Sequence, residues 1–348
     1  MYISQKQKMA TPIINVANRL GFLDTYSFIN GYFKSQIVIL LYHRVGPNKN
    51  AWLLPAITVS DFEKQMRYLT KTYKILPLSK LSEYLRDEKP LPKKVAVVTF
   101  DDGYKDNYRY VFPILKKYNI PATVFLVTGH IDTRNLFWFD KIRYLICSTK
   151  QKRFELDGFG DFSLNSMKDR LQSHSIIIEK LKKIPDEKKK NLLEKLVNIS
   201  DVDIPYDLGL DINLSWDEVK EMSDTGMEFG AHTVTHPILT KISLDRAKFE
   251  IEQSKKDIEK RLNQSVNTFS YPNGTCEDFN KKIIDLVKKS GFTCAVTTIP
   301  TMHLSKKNLY KLGRLPIAWS YGSFKFFVSG LYYDAGNILN RFGGTYAH

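Results

Sequence analysis

The sequence predicts an α/β fold, a parallel sheet or barrel wrapped by helices, and three observations carry that prediction. Short apolar runs rich in β-branched residues alternate with amphipathic segments along most of the chain. A length of 348 residues suits one large domain or two smaller ones and can bury a substantial core. The hydrophobic fraction of 43%, with Tyr, Phe, Ile and Leu well represented, is that of a globular chain and not a disordered one.

The strands expected, in order, are residues 37–43 (IVILLYH), 95–100 (VAVVTF), 122–127 (ATVFLV), 227–232 (MEFGAH), 267–272 (NTFSYP), 294–298 (CAVTT) and 312–318 (LGRLPIA). Amphipathic helical spacing marks residues 60–73, 107–118, 244–262 and 277–290. A further helix should open at SWDEVKEM, where Ser215 and Glu218 have the spacing of a capping box. Gly291 reads as a helix C-cap. Residues 134–213 break the rhythm with Lys/Glu-rich helical patterns and an Asp/Gly/Phe-rich patch (ELDGFGDF), and read as a helical insertion between two strands. The chain therefore divides into an N-terminal amphipathic or capping segment (1–35), a main domain (36–320) and a C-terminal amphipathic or capping segment (321–348). Both end segments mix aromatic, aliphatic and basic residues, which fits helices docked on the barrel or a face resting on an anionic membrane.

Three scattered cysteines, Cys147, Cys276 and Cys294, form no CxxC pair, so neither a disulfide framework nor a thiolate zinc site is expected. The first residues lack the basic start, apolar core and cleavage site of a signal peptide, and the longest apolar run (37–42) is too short to span a bilayer. The expectation is a cytoplasmic protein, soluble or peripheral to the inner face of the membrane. The net charge of +15 favours an anionic partner, but no nucleic-acid-binding motif accompanies it. Much of the excess sits in runs such as KLKKIPDEKKK (180–190), which read as a solvated helix face.

Two clusters carry chemistry. In VAVVTFDDGY (95–104) an apolar strand runs into Asp101 and Asp102. An Asp-Gly step after such a run is a turn signal; two carboxylates at a strand end can also face one cavity with different tasks, one holding a metal and one moving a proton. In GAHTVTHP (230–237), His232 and His236 stand four apart, close enough to share an ion. Thr233 occupies the place where a zincin would carry its Glu, and the β-branched run before Pro237 argues for a strand end and a tight bend. With one aspartate added, the pair becomes a two-His, one-carboxylate site with an open position, the arrangement of metal-assisted hydrolysis.

TFDDGY, HTVTH and FSYPNG, occurring together and in this order, resemble the polysaccharide deacetylases, carbohydrate esterase family 4, which share the NodB homology domain. The resemblance runs over about residues 37–319, with residues 134–213 as an insertion. It implies a distorted, TIM-like (β/α) barrel and the removal of acetyl groups from N-acetylated sugars with a divalent metal, zinc first and Co, Ni or Mn as alternatives. It further implies that Asp101 is the general base, that Asp102, His232 and His236 hold the metal, and that Tyr271 lies in the oxyanion region, a backbone N–H near it holding the oxyanion. The general-acid His that better-known members carry near the end of the domain is missing: LGRLPIA supplies Arg314 instead. His303 sits in a polar, Lys-rich loop, so the acid expected here is His43, in the early YH motif that some exopolysaccharide-modifying members share. Arg314 would orient the base or a substrate oxygen.

The expected function is thus N-deacetylation of a free, polymeric or lipid-linked acetylated glycan. The alternatives are O-acetyl ester hydrolysis at the same site, or a non-catalytic basic protein that binds a glycan or membrane. The partners expected are an acetylated glycan and an anionic membrane surface, without nucleic acid, and the oligomeric state is left open.

Overall fold

A computed structural model describes residues 5–33, 35–47, 57–156, 158–316, 321–332 and 334. The chain opens with two helices, α1 (Gln5–Arg19) and α2 (Phe22–Phe33), before strand β1 (Gln36–Tyr42). A short pair follows, β2 (Val45–Gly46) and β3 (Ile57–Thr58), then α3 (Val59–Thr72), β4 (Lys74–Ile75), α4 (Leu78–Arg86) and β5 (Lys94–Phe100). A π-helical turn, Asn107–Val111, leads into α5 (Phe112–Lys117) and β6 (Ala122–Leu126). Next come α6 (Trp138–Ser148), an antiparallel hairpin of β7 (Arg153–Leu156) and β8 (Gly160–Ser163), α7 (Met167–Leu181), α8 (Asp186–Ser200) and α9 (Leu208–Ile212). The alternation then resumes with α10 (Trp216–Asp224), β9 (Glu228–Ala231), α11 (Leu244–Leu262), β10 (Thr268–Ser270), α12 (Lys281–Lys289), β11 (Cys294–Val296), β12 (Leu315–Pro316) and α13 (Tyr321–Val328).

The main sheet is parallel, in the order β11-β10-β9-β6-β5-β1-β12, with β4 pairing the first half of β5 and β6 the second half. Curled into a half-barrel, it is the distorted (β/α) barrel that the sequence predicts. Its strands are continuous apolar runs because both faces are covered. Val38, Leu40 and Val98 point to the layer containing α3 and α11, whereas Ile37, Ile39, Val95 and Val97 point to the side closed by α4. This period of two is the pleat, and it sends successive residues of each strand into different cores.

Local signals account for several boundaries. Ser215 and Glu218 form the capping box that starts α10. Gly291, at φ +79°, ends the segment after α12, a conformation that glycine adopts at little steric cost. That helix begins at Lys281 and not near 277, because Asn280 caps it by accepting from the Ile283 N–H. The last predicted strand is reduced to Leu315–Pro316; Ile317 and Ala318, the domain end near Trp319 and most of the C-terminal segment lie outside the described residues. The patch ELDGFGDF holds the β7–β8 hairpin, so the region between β6 and α10 is not purely helical. Its helices and hairpin enclose a separate apolar cluster that includes Ile142, Phe154, Ile177 and Leu196.

Helices α1, α2 and α13 pack together at the beginning of the sheet. Gln36, the first residue of β1, donates to the Ser329 carbonyl just after α13, and Lys94, the first residue of β5, donates to Ser27 on α2. The chemistry-bearing residues gather at the opposite, C-terminal strand ends.

Candidate metal centre

Strand β5 places both aspartates. The Asp101 N–H donates to the Tyr42 carbonyl, extending the β1–β5 pairing by one residue. The chain then turns through Asp102 at φ +78° and Gly103 at φ +76°. A Cβ on Gly103 would meet Leu126 at 2.9 Å, so glycine serves both the backbone conformation and the close approach. Asp102 holds the left-handed conformation at a cost of roughly 1 kcal/mol or more. The result is that two neighbouring carboxylates diverge within one buried cavity.

The histidines come from the end of β9. The His232 N–H continues the sheet by donating to the Leu126 carbonyl, and its Nδ1 meets the Ser270 carbonyl at 2.7 Å. That bond orients the ring so that Nε2 is the nitrogen facing Asp102. Both His232 Nε2 and His236 Nε2 lie 3.5 Å from the same oxygen, Asp102 Oδ1. Donor atoms about 2 Å from one tetrahedral cation stand roughly 3.3 Å apart; both His–Asp102 pairs match that spacing, and with all three ligand atoms within 4.8 Å of one another a small side-chain adjustment closes the set on a divalent ion. Among the described residues this is the one buried group of three or more His, Cys, Asp or Glu able to hold a metal. Burial, and then His232, push the His236 pKa down to about 3, keeping it a neutral imidazole. Burial alone would raise the Asp102 pKa, but its hydrogen bond with His232 foremost outweighs that, and the net shift is downward.

The bend between the ligands is unusual backbone. Thr233 has φ +69° and His236 φ +56°, and for a β-branched residue the former is a steric outlier. Two devices hold it. Thr233 Oγ1 accepts from the His236 N–H. Glu250, fully buried on α11, accepts from the N–H groups of Val234 and Thr235, both at 2.8 Å, from Thr235 Oγ1 at 2.6 Å and from Arg246. Glu250 did not stand out in the sequence, being one acid among many on a long charged helix.

Asp101 is clamped rather than free. Arg314 Nη1 donates to Oδ1 at 2.7 Å and Nη2 to Oδ2 at 2.6 Å. Arg314 also donates to the Thr297 carbonyl, Thr99 Oγ1 and Ser270 Oγ, so each of its five N–H groups has an acceptor although the side chain is fully buried. Burial raises the Asp101 pKa, but Arg314 foremost, then His232, pull it below the usual carboxylate range. Ser270 links the two halves of the site: its carbonyl orients His232 and its hydroxyl donates to Asp101.

His43 follows β1, its carbonyl held by Asn107 Nδ2 and its side chain open to solvent at the rim of the cavity. The surrounding protein lowers its pKa; Asp102 and Asp101 oppose that, but the net shift is downward. Tyr271 follows Ser270 at the end of β10, but its own groups are engaged elsewhere. Its ring is buried against Phe279, its hydroxyl donates to the Tyr310 carbonyl, and its N–H is spent on the Val296 carbonyl. Pro272 has no N–H, so the next amide is that of Asn273. That residue sits at φ +61°, with its side chain on Asp278 and its carbonyl held by Thr298. The Asn273 N–H has no partner among the described hydrogen bonds. His303 is exposed on its loop. Phe137 and Phe139, at the entry to α6, pack edge-on against His236 with ring centroids at 5.8 and 5.5 Å, so the region between β6 and α10 walls the site.

A family model described as polysaccharide deacetylase matches residues 88–295. The poly-beta-1,6-N-acetyl-D-glucosamine N-deacetylase of Staphylococcus epidermidis is 28% identical over 218 residues, covering 57% of this chain and 73% of that protein. Among solved structures, the Streptococcus pyogenes deacetylase PplD in complex with acetate aligns with a TM-score of 0.55 and 22% identity, covering 84% of this chain and 96% of that one. IcaB from Ammonifex degensii aligns with a TM-score of 0.56 and 19% identity, covering 85% and 98%. At these identities the structural matches establish the fold.

Proposed function

The chain belongs to the polysaccharide deacetylase family, and on that premise we propose that it is a metal-dependent hydrolase that removes N-acetyl groups from a polymer of N-acetylglucosamine, leaving free amine and acetate. The observation that carries the reading is the convergence of Asp102, His232 and His236 beside a carboxylate, Asp101, that is close by yet bound to Arg314. The Staphylococcus epidermidis relative, named for a poly-N-acetylglucosamine substrate, supports a polymeric glycan over a short lipid-linked one.

Asp102, His232 and His236 would hold the ion, zinc in the first instance; when bound, it polarises the acetyl carbonyl and acidifies water. Asp101 takes the proton of the attacking water. Its low pKa makes it a weak base, so its contribution is a fixed, permanently ionised acceptor, held on both oxygens by Arg314. The Asn273 N–H, unpaired among the described hydrogen bonds where that of Tyr271 is taken by Val296, is the donor we assign to the negative charge that develops on the acetyl oxygen. An amine leaves only when protonated, and His43 at the cavity rim supplies that proton. Its lowered pKa favours release of the proton while reducing the fraction that carries it at neutral pH.

The test pairs metal analysis with amine release from N-acetylglucosamine oligosaccharides. Wild type should bind about one ion per chain and release amine, Asp102→Ala should lose both, and Asp101→Asn should keep the ion and lose turnover. Full turnover in the metal-free Asp102→Ala protein refutes the proposal. Acetate without amine from a partly O-acetylated glycan reassigns the reaction to an ester.

A further inference from the structure

Helices α1 and α2 are built inside out. The inward stripe of α2 is Leu23, Ser27 and Gly31, spaced four apart; a Cβ on Gly31 would collide with Lys94 Cε at 2.3 Å, and Ser27 accepts from Lys94 Nζ. The large apolar residues lie on the other side: Phe28 is 76% exposed and Phe33 77%, with Phe22 and Ile29 more than half exposed. Helix α1 repeats the inversion. Asn15 and Asn18 face Gly322 of α13, while Ile13, Val16 and Leu20, at helical spacing, point outward, Leu20 with 80% exposure. More than half of the exposed large hydrophobic residues among those described fall between residues 13 and 33. Core packing cannot explain a helix that hides its serine and glycine and shows its phenylalanines.

The charge pattern identifies what covers this face. Through residue 34 the sequence carries Lys6, Lys8, Arg19 and Lys34 against Asp24 alone, and Asp24 is paired with Lys325 at 2.7 Å. Lys93 lies beside the patch, its Nζ 4.8 Å above the exposed Tyr32 ring and bonded to the Tyr32 carbonyl. A second copy would set like charges against one another, whereas anionic headgroups would meet the basic residues as the aromatics enter the acyl boundary. No helix among the described residues is long and apolar enough to cross a membrane. We infer that α1 and α2 form an interfacial hairpin that lies on an anionic lipid surface, with Phe28, Ile29 and Phe33 among the acyl chains.

The experiment is co-sedimentation of the full chain with phosphatidylglycerol-containing vesicles and with pure phosphatidylcholine vesicles. Wild type should bind the former at low salt and bind the latter, or the former at high salt, more weakly. Burying one phenylalanine is worth about tenfold in partitioning, so Phe28→Ser combined with Phe33→Ser should weaken binding by roughly a hundredfold. Leu20→Ser, on the other helix, should move it in the same direction. All three side chains are exposed and distant from the metal centre, so the melting temperature and amine release from soluble oligosaccharides should stay as in wild type. Three results overturn the inference: no binding by wild type, equal binding by the double variant, or a wild-type dimer in solution that the double variant splits.

Discussion

Glu250 offers the most demanding test of how this centre is held. Replacing it with Ala removes the acceptor of the Val234 and Thr235 amides, the Thr235 hydroxyl and Arg246. Val234 is half-buried, so its amide is left largely unsatisfied at a cost of about 1–3 kcal/mol. Thr235 is exposed and can turn to water, and Arg246, with 40% of its side chain accessible, contributes no more than about 1 kcal/mol. The loss should total about 2–3 kcal/mol, concentrated in the bend where Thr233 and His236 hold positive φ. Released from Glu250, those residues relax toward ordinary backbone and carry the His236 ring away from Asp102. Removing a group that positions a ligand costs roughly 10- to 100-fold in metal affinity. Competition against a chromophoric zinc chelator measures that loss, and thermal melting measures the global change, which should be a few degrees. Glu250→Gln keeps a carbonyl oxygen for the two amides and should recover most of the affinity. A Glu250→Ala protein that melts early but binds zinc as tightly as wild type would show that Glu250 merely supports α11 and does not hold the metal-binding bend.

Gly129 approaches the same bend from the other side: its N–H donates to the Val234 carbonyl, and a Cβ there would meet that oxygen at 2.6 Å. Gly129→Ala should therefore reduce zinc affinity at least tenfold, read in the same chelator assay, while far-ultraviolet circular dichroism stays unchanged. Arg314→Gln leaves the Asp101 charge buried without its partner, so chemical denaturation should show a loss of about 3–5 kcal/mol, and amine release should fall even where the protein remains folded. His174 on α7 is buried, and burial, followed by Arg143, holds its pKa at about 4. Unfolding returns it to about 6.5, so the unfolded chain binds more protons between those values and stability falls as pH drops through that window. The loss should approach 3 kcal/mol below pH 4, and His174→Phe should flatten that part of the stability–pH curve.

The parts of the molecule legible in the sequence were those whose cause is local. The apolar run of β5, the capping box of Ser215 and Glu218, and the His232–His236 pair each declare themselves within ten residues. Arg314 stood out because it occupies the place of a missing histidine, but its five bonds depend on residues as far as 215 positions away. Tyr271 shows the limit of a motif: FSYPNG marks the strand end and the corner, but which amide stays unpaired there is decided by pairing with Val296 on a neighbouring strand. Glu250 and Ser270 were silent because an acid on a charged helix and a serine in a strand carry no periodic signal of what they touch. Phe137 and Phe139 read as generic apolar residues, and only the packing of α6 against the β9 bend gives them a face of the site.

Strand β5 starts beneath α2, at Lys94, and delivers its carboxylates seven residues later. At about 3.3 Å per residue, this separates the apolar hairpin from the metal centre by roughly 20 Å. On a molecule resting on lipid through that hairpin, the strand acts as a gauge of height. Sugars rooted at the bilayer would pass beneath the reaction centre with their acetyl groups intact, and amines would appear only on the part of the polymer that rises to meet it. The positive charge that deacetylation creates would then form a layer held off the membrane, its lower edge set by the length of one buried strand.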